Sequence, residues 1–250
     1  MIQQIEEASM NAWPALQTVV YDGWILRFAN GYTRRANSIN PLYPSRIDLK
    51  RKVAYCQRLY DQRNLPTIFK ITEKVYPQNL DSELEKADYR CEAETSVQTV
   101  DLSTLEIPGY VPVKICEHVD APWIDHFMRL NKVGVGYRLT MRSMFESIKT
   151  PTCFAAITDE NRTVACGMGA LVRDMVGLFD IIVDEHHRGR GLATRLVYGI
   201  LYWAKSGNAK LGYLQVMLDN KDALSLYRRI GFTEVYRYWY RVRDVQEKKE

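Results

Sequence analysis

A chain of 250 residues with 46% hydrophobic and 26% charged side chains has the composition of an ordinary globular protein, with length for one large domain or two small ones. Its 34 basic and 30 acidic residues leave a net charge of +4, too slight a surplus for a dedicated nucleic-acid surface, and no apolar run reaches the roughly 18 to 20 residues of a membrane-spanning helix. Five cysteines without a C-x-x-C pair argue against zinc or a redox couple, and the acidic start around Glu6-Glu7 lacks the basic and apolar regions of an export signal, so a cytoplasmic protein with reduced thiols is expected.

Taken in chain order, strands are expected at Trp24 to Ala29 and Thr33 to Ile39, a helix at about Leu49 to Arg63, a strand at Thr67 to Thr72, a helix at about Leu80 to Ala87 and a strand at Glu92 to Leu102. The turn chemistry of Thr104 to Val113, with Pro108-Gly109 and Pro112, marks a boundary that separates residues 1–107 from 108–250. Short helices follow at Ala121 to Lys132 and Leu139 to Ile148, then strands at Cys153 to Ile157 and Thr163 to Val172. Val176 to Val183 reads as a strand with Phe179, Ile181 and Val183 on one face and Asp180 and Ile182 on the other. The stripe Leu192, Leu196, Ile200 and Ala204 predicts an amphipathic helix that stops at Gly207-Asn208. A strand at Leu211 to Leu218, a helix at about Lys221 to Arg229 with its exit at Gly231, and an aromatic strand at Phe232 to Val242 complete the chain.

The order of elements repeats. Leu84-Glu85-Lys86-Ala87-Asp88-Tyr89 lies over Tyr227-Arg228-Arg229-Ile230-Gly231-Phe232 at an offset of 227 − 84 = 143 residues, and the same offset pairs Asp101 with Asp244. The expected fold is α/β, two related halves, each with a mixed, mostly antiparallel sheet flanked by helices. Only the second half carries a glycine-rich loop; the first has Leu84 where the second has Tyr227.

That loop, Arg188-Gly189-Arg190-Gly191-Leu192-Ala193-Thr194, joins a strand to a helix. Glycines let backbone N–H groups approach an anion at a helix N-terminus, and the two arginines add charge. It is neither a Walker A loop nor a dinucleotide fingerprint. With it stands Asn220, Ala223, Tyr227, Gly231 and Phe232 in the spacing N-x-x-A-x-x-x-Y-x-x-x-G-F. These two motifs resemble those of the GNAT (GCN5-related N-acetyltransferase) superfamily, whose loop follows Q/R-x-x-G-x-G/A, met by Arg188, Gly191 and Ala193; the resemblance covers roughly Val113 to Asp244, and the first half looks like the degenerate copy of tandem bacterial members.

The resemblance implies acetyl-CoA as co-substrate and no metal. Backbone groups of Ile181, Ile182 and Val183 would pair with the pantetheine arm, amides from Gly189 to Thr194 would hold the pyrophosphate, Asn220 would bond the pantetheine or cap its helix, and Tyr227 would protonate the departing thiolate. The position of a glutamate base in some members is occupied by Gln215, which leaves Asp180 as the nearest acid; His186 and His187, adjacent on an extended chain, read as a solvated turn. The expected activity is acetyl transfer to a primary amine of a small molecule or peptide by direct attack in a ternary complex, by a monomer or homodimer without nucleic-acid or membrane partners. The alternative is a non-catalytic acyl-CoA-binding or sensing module. The polar stretch Trp24 to Tyr43, with Asn30-Gly31, Arg34-Arg35 and Asn37, is either exposed strand or a substrate wall shared between halves. A shared wall implies that residues 108–250 alone stay soluble and lose transfer.

Overall fold

The computed structural model describes residues 1–109 and 111–245. The first half contains α1 (Ile2–Ala12), β1 (Gln17–Tyr21), β2 (Trp24–Phe28), β3 (Ile39–Pro41), α2 (Leu49–Asp61), β4 (Thr67–Thr72), α3 (Leu80–Lys86) and β5 (Arg90–Asp101). The second contains β6 (Lys114–Cys116), α4 (Ala121–Leu130), α5 (Arg138–Glu146), β7 (Thr152–Asp159), β8 (Arg162–Val172), β9 (Met175–Val183), α6 (Leu192–Ser206), β10 (Leu211–Met217), α7 (Lys221–Ile230) and β11 (Thr233–Arg243).

The offset read from the sequence holds across elements. Leu49 and Leu192 open their helices 192 − 49 = 143 residues apart, and Arg90 and Thr233 open the last strands of the two halves at the same interval. All eleven strands form one mixed sheet in the order β1-β2-β3-β4-β11-β5-β10-β9-β8-β7-β6, in which β3–β4 and β9–β10 are parallel. The last strands are exchanged: β11 of the second half pairs with β4 of the first, and β5 of the first pairs with β10 of the second. β5 and β11 then pair with each other, closing the seam.

Side chains alternate across the seam. Along β11, Tyr236, Tyr238, Tyr240 and Val242 join the core under α1, α4 and α5, while Trp239 packs against the core of α2 and α3. A third core lies under α6 and α7, with Leu196, Val197, Ile200, Leu201 and Ala204 buried. α6 is the amphipathic helix its spacing predicts, and it ends at Gly207.

Two expectations change, and one helix lies where no element is expected from the sequence. The N-terminal segment forms α1, which docks across the seam: buried Glu6 accepts hydrogen bonds from Lys70 of β4 (2.6 Å) and from the Tyr236 hydroxyl of β11 (2.7 Å). Thr33 to Ile39 is not one strand, because the Thr33 side chain accepts the Ala36 amide and caps a 3-10 turn at Arg34–Ala36, so β3 begins only at Ile39. In β9, Phe179 does not share a face with Ile181 and Val183. A bulge intervenes, so Phe179 and Ile182 face the core of α1, α4 and α5, whereas Ile181 and Val183 face that of α6 and α7.

Candidate active site

The bulge builds the site. Met168 pairs with Phe179 and Cys166 with Ile182, so Gly167 alone stands opposite Asp180 and Ile181. Asp180 takes the left-handed conformation (φ +49°), and Gly167 leaves room for the Ile181 side chain, whose Cδ1 would lie 2.5 Å from a Cβ at that position and would have to turn aside. β9 and β10 remain paired only to Leu178 and Leu214. Beyond that point they splay, and the β10-facing edge of Ile181 to Val183 has no strand partner among the described residues.

Past Val183, Asp184 caps a single 3-10 turn at Glu185–His187 by accepting the His186 amide. The two histidines therefore lie on a turn rather than an extended chain; His187 Nδ1 is 3.3 Å from Asp184 Oδ1. Gly189 and Gly191 have φ of +75° and +72°, with nothing within 4 Å of an added Cβ at either. Gly191 is also the N-cap of α6 and provides no side-chain acceptor, so the first-turn amides of Leu192, Ala193 and Thr194 stay open to an outside anion.

A groove of about 770 Å³ runs along these features, and the lining includes Ile181, Ile182, Val183, Arg188, Gly189, Gly191, Leu192, Ala193, Thr194, Asn220 and Tyr227. Arg190 is turned away: its guanidinium lies 3.7 Å from Asp159, and it lines a separate cavity of about 260 Å³. Asn220 caps α7 by accepting the Ala223 amide at 3.1 Å and faces the groove from that position. Asp222, Ser225 and Arg229 complete the wall; only their place on the exposed side of α7 could have pointed to them in sequence.

Tyr227 stands where the groove meets a second cavity, of about 460 Å³, formed at the seam. It is 9% exposed, and burial, reinforced by the Asp180 charge, pushes its phenol up to about 12, so it is protonated at neutral pH. The seam cavity takes Thr33, Arg34 and Arg35 from the first half, and Asp180, Gln215, Tyr238 and Tyr240 from the second. Arg35 Nη2 donates to Asp180 Oδ1 at 2.8 Å. Gln215 is held from both ends, donating to Ser9 Oγ at 2.7 Å and accepting from the Tyr238 hydroxyl at 3.0 Å. The Tyr240 side chain is 3% exposed, yet its hydroxyl has no partner. The polar stretch flagged in sequence thus reaches the site at residues 33–35, while Asn37 braces the turn, accepting the amides of Ala29 (2.7 Å) and Gly31 (2.9 Å). The contribution of Tyr238 and Tyr240 was hidden, because it depends on where β11 inserts.

The first half has the corresponding strand-to-helix loop filled from within. Asp22, in the turn between β1 and β2, accepts the amides of Arg46 (3.1 Å) and Ile47 (2.9 Å) and the Ser45 hydroxyl (2.7 Å), with Lys52 Nζ at 3.1 Å. These bonds, the Ile47 amide first, hold its carboxyl far below the usual carboxylate range.

The fold is that of the GNAT superfamily, and the matching family model and relatives make the chain an acyltransferase of that class. Within it, the chain belongs to the family described as "Probable histone acetyltransferase Rv0428c C-terminal", which matches residues 1–241. An uncharacterised N-acetyltransferase of Bacillus subtilis, YobR, is 28% identical over 249 residues, covering 97% of this chain and 98% of its own. Streptothricin acetyltransferase of Escherichia coli is 25% identical over 138 residues, 49% of this chain and 78% of its own. Among solved structures, a GCN5-related N-acetyltransferase from Kribbella flavida superposes with a TM-score of 0.73 at 14% identity, over 99% of this chain and 96% of its own. A tandem GNAT protein from the clavulanic acid biosynthesis pathway gives 0.66 at 11% identity, over 98% and 89%. At these identities the structures speak for the fold. No helix among the described residues is long and apolar enough to cross a membrane.

Proposed function

We propose that the groove binds acetyl-CoA and that a primary amine, entering through the seam cavity, takes the acetyl group by direct attack. One observation carries this: Tyr227 joins an anion-ready groove to a separate polar cavity, so two substrates meet at one phenol. The residues fit the co-substrate. The free edge of Ile181 to Val183 suits the amide-bearing pantetheine arm as an added strand, and the uncapped amides from Gly189 to Thr194, beside Arg188, suit its pyrophosphate.

The amine nitrogen forms the new C–N bond, and the attack leaves a tetrahedral oxyanion that a β9 amide stabilises. As it collapses and the C–S bond breaks, Tyr227 gives its proton to the sulfur. Asp180, with Oδ1 committed to Arg35, takes the proton lost by the nitrogen on Oδ2 and passes it to solvent, and the Tyr227 phenolate regains a proton from solvent. Asn220 holds the start of α7 and hence Tyr227 in place.

The test combines a thermal shift with acetyl-CoA and CoA release over a panel of small amines, polyamines, aminoglycosides and lysine peptides. A shift at saturation and release with at least one amine are expected. No shift would defeat the groove assignment, and a shift without release from any amine would favour a sensing module.

A further inference from the structure

The half without a cofactor loop touches β9 beside the groove through the Arg35 side chain, which lines the seam cavity. Arg35 sits in the middle of the 3-10 turn capped by Thr33, and its backbone carbonyl accepts a bond from Arg27 Nη1 at 2.6 Å. Its guanidinium lies over the Trp13 ring, 4.4 Å from the centroid, and within 5.9 Å of Phe179. Trp13 is itself fixed, being 1% exposed, stacked on Phe179 and donating through Nε1 to Thr33 Oγ1 at 3.2 Å. A planar, always-charged group in such a slot has little freedom, and it is aimed at Asp180.

Asp180 is the left-handed residue of the bulge and the one that immediately precedes the open edge of Ile181 to Val183. A non-glycine residue in that conformation persists when its surroundings over-determine it. Two constraints do so here: the ladder pairs Cys166–Ile182 and Met168–Phe179 that flank the bulge opposite Gly167, and the ion pair to Arg35 across the seam. The first is internal to the second half. The second comes from a residue 145 positions earlier in the chain.

We infer that Arg35 is a positioning residue for acetyl-CoA: by holding Asp180 it fixes the bulge, and the bulge aims the amides and carbonyls of Ile181 to Val183 into the groove. The inference rests on the groove being the acetyl-CoA site. It gives the first half a role in co-substrate binding without contact with the co-substrate, and it accounts for an arginine stacked on a buried indole at the seam.

The test is calorimetric titration of full-length variants with acetyl-CoA, below their melting temperatures. Arg35→Met keeps much of the packing on Trp13 and removes the ion pair; its Kd should rise about tenfold, within the usual range of couplings between distant sites. Arg35→Lys, a single-point cation, should fall between Met and the parent. Lys52→Met removes a fully buried cation of the first half, on α2 and away from the seam cavity, and should lower the melting temperature while leaving the acetyl-CoA Kd unchanged. Parental affinity in Arg35→Met overturns the inference, as does an equal loss in Lys52→Met, which would reduce the effect to general loosening. Should Arg35→Met fail to fold, Arg35→Lys decides, and a Kd within twofold of the parent overturns the inference. Absence of acetyl-CoA binding in the parent protein would instead defeat the functional reading on which this one stands.

Discussion

The same strand-to-helix junction occurs twice in this chain and has opposite contents. In the second half, Arg188 to Gly191 leads into α6 through two left-handed glycines and leaves the first-turn amides open. In the first, 143 residues earlier, Ser45 to Asp48 leads into α2; the Asp22 carboxylate takes the loop amides, and Asp48 at the position of Gly191 caps the Arg51 amide. A junction that supplies its own anions has no amides left for a phosphate. The comparison separates architecture from chemistry: the strand-helix-strand-helix-strand order recurs in both halves at one offset, and a few side chains at one turn decide which half leaves its helix-start amides open.

The comparison is broken most severely by cutting the halves apart. Expression of residues 108–250 alone strips β5 from β10 and both neighbours from β11, leaving long apolar edges unpaired. The fragment should aggregate, as judged by size-exclusion chromatography, which reverses the solubility that a merely shared substrate wall implied. A monodisperse fragment would show the exchange to be dispensable.

Next in effect is replacement of Tyr227, the proposed proton donor, by a hydroxyl-free ring, in the spirit of the buried Leu84 that stands at its counterpart. Tyr227→Phe should lower kcat about 100-fold or more, the range for loss of a general acid, with acetyl-CoA affinity preserved. Because the phenol titrates only near 12, the parent's rate should show no loss from Tyr227 deprotonation up to about pH 11, measured by CoA release.

Writing the first half's cap into the second is a comparably direct exchange. Gly191→Asp places a side chain at φ +72° and an anion over the open amides; strain and occlusion together should weaken acetyl-CoA binding by about 100-fold, or about 3 kcal/mol, by titration. Tyr240→Phe should be milder, raising the acceptor KM about three- to tenfold while leaving the acetyl-CoA Kd alone, since its unpartnered hydroxyl in the seam cavity would offer the acceptor one neutral hydrogen bond. Smallest is Asp22→Asn, which should lower the melting temperature near neutral pH. Asp22 has a depressed folded pKa, so its contribution is full above the unfolded carboxylate value near 4 and fades below it; the gap between parent and variant should therefore narrow as pH falls under about 4.

Much of this was legible in the sequence because it is local. The stripe Leu192, Leu196, Ile200, Ala204 announces α6, the glycines announce the loop, and the shared 143-residue offset announces the duplication. What failed was what depends on distant partners. Nothing in Val176 to Val183 reveals that Gly167 will face two residues at once, so a strict alternation put Phe179 on the wrong face. α1 buries mostly small residues together with Glu6 and Ser9, and its polarity makes sense only once Lys70, Tyr236 and Gln215 are seen beneath it. The exchange of β5 and β11 has no local signature, since either strand would read the same beside its own half.

That exchange also bears on how the chain is made. β11 lies inside the sheet, fifth of its eleven strands between β4 and β5, although it is the last of the described strands in chain order. A growing chain can assemble β1 to β4 and their helices early, yet β4 keeps an open edge until β11 has been made. The usual sequence, in which an N-terminal domain is complete before its successor emerges, is unavailable here. Nascent chains stalled before Thr233 should therefore be held in a form that depends on chaperones, and release should bring both halves to their native state in a single late event.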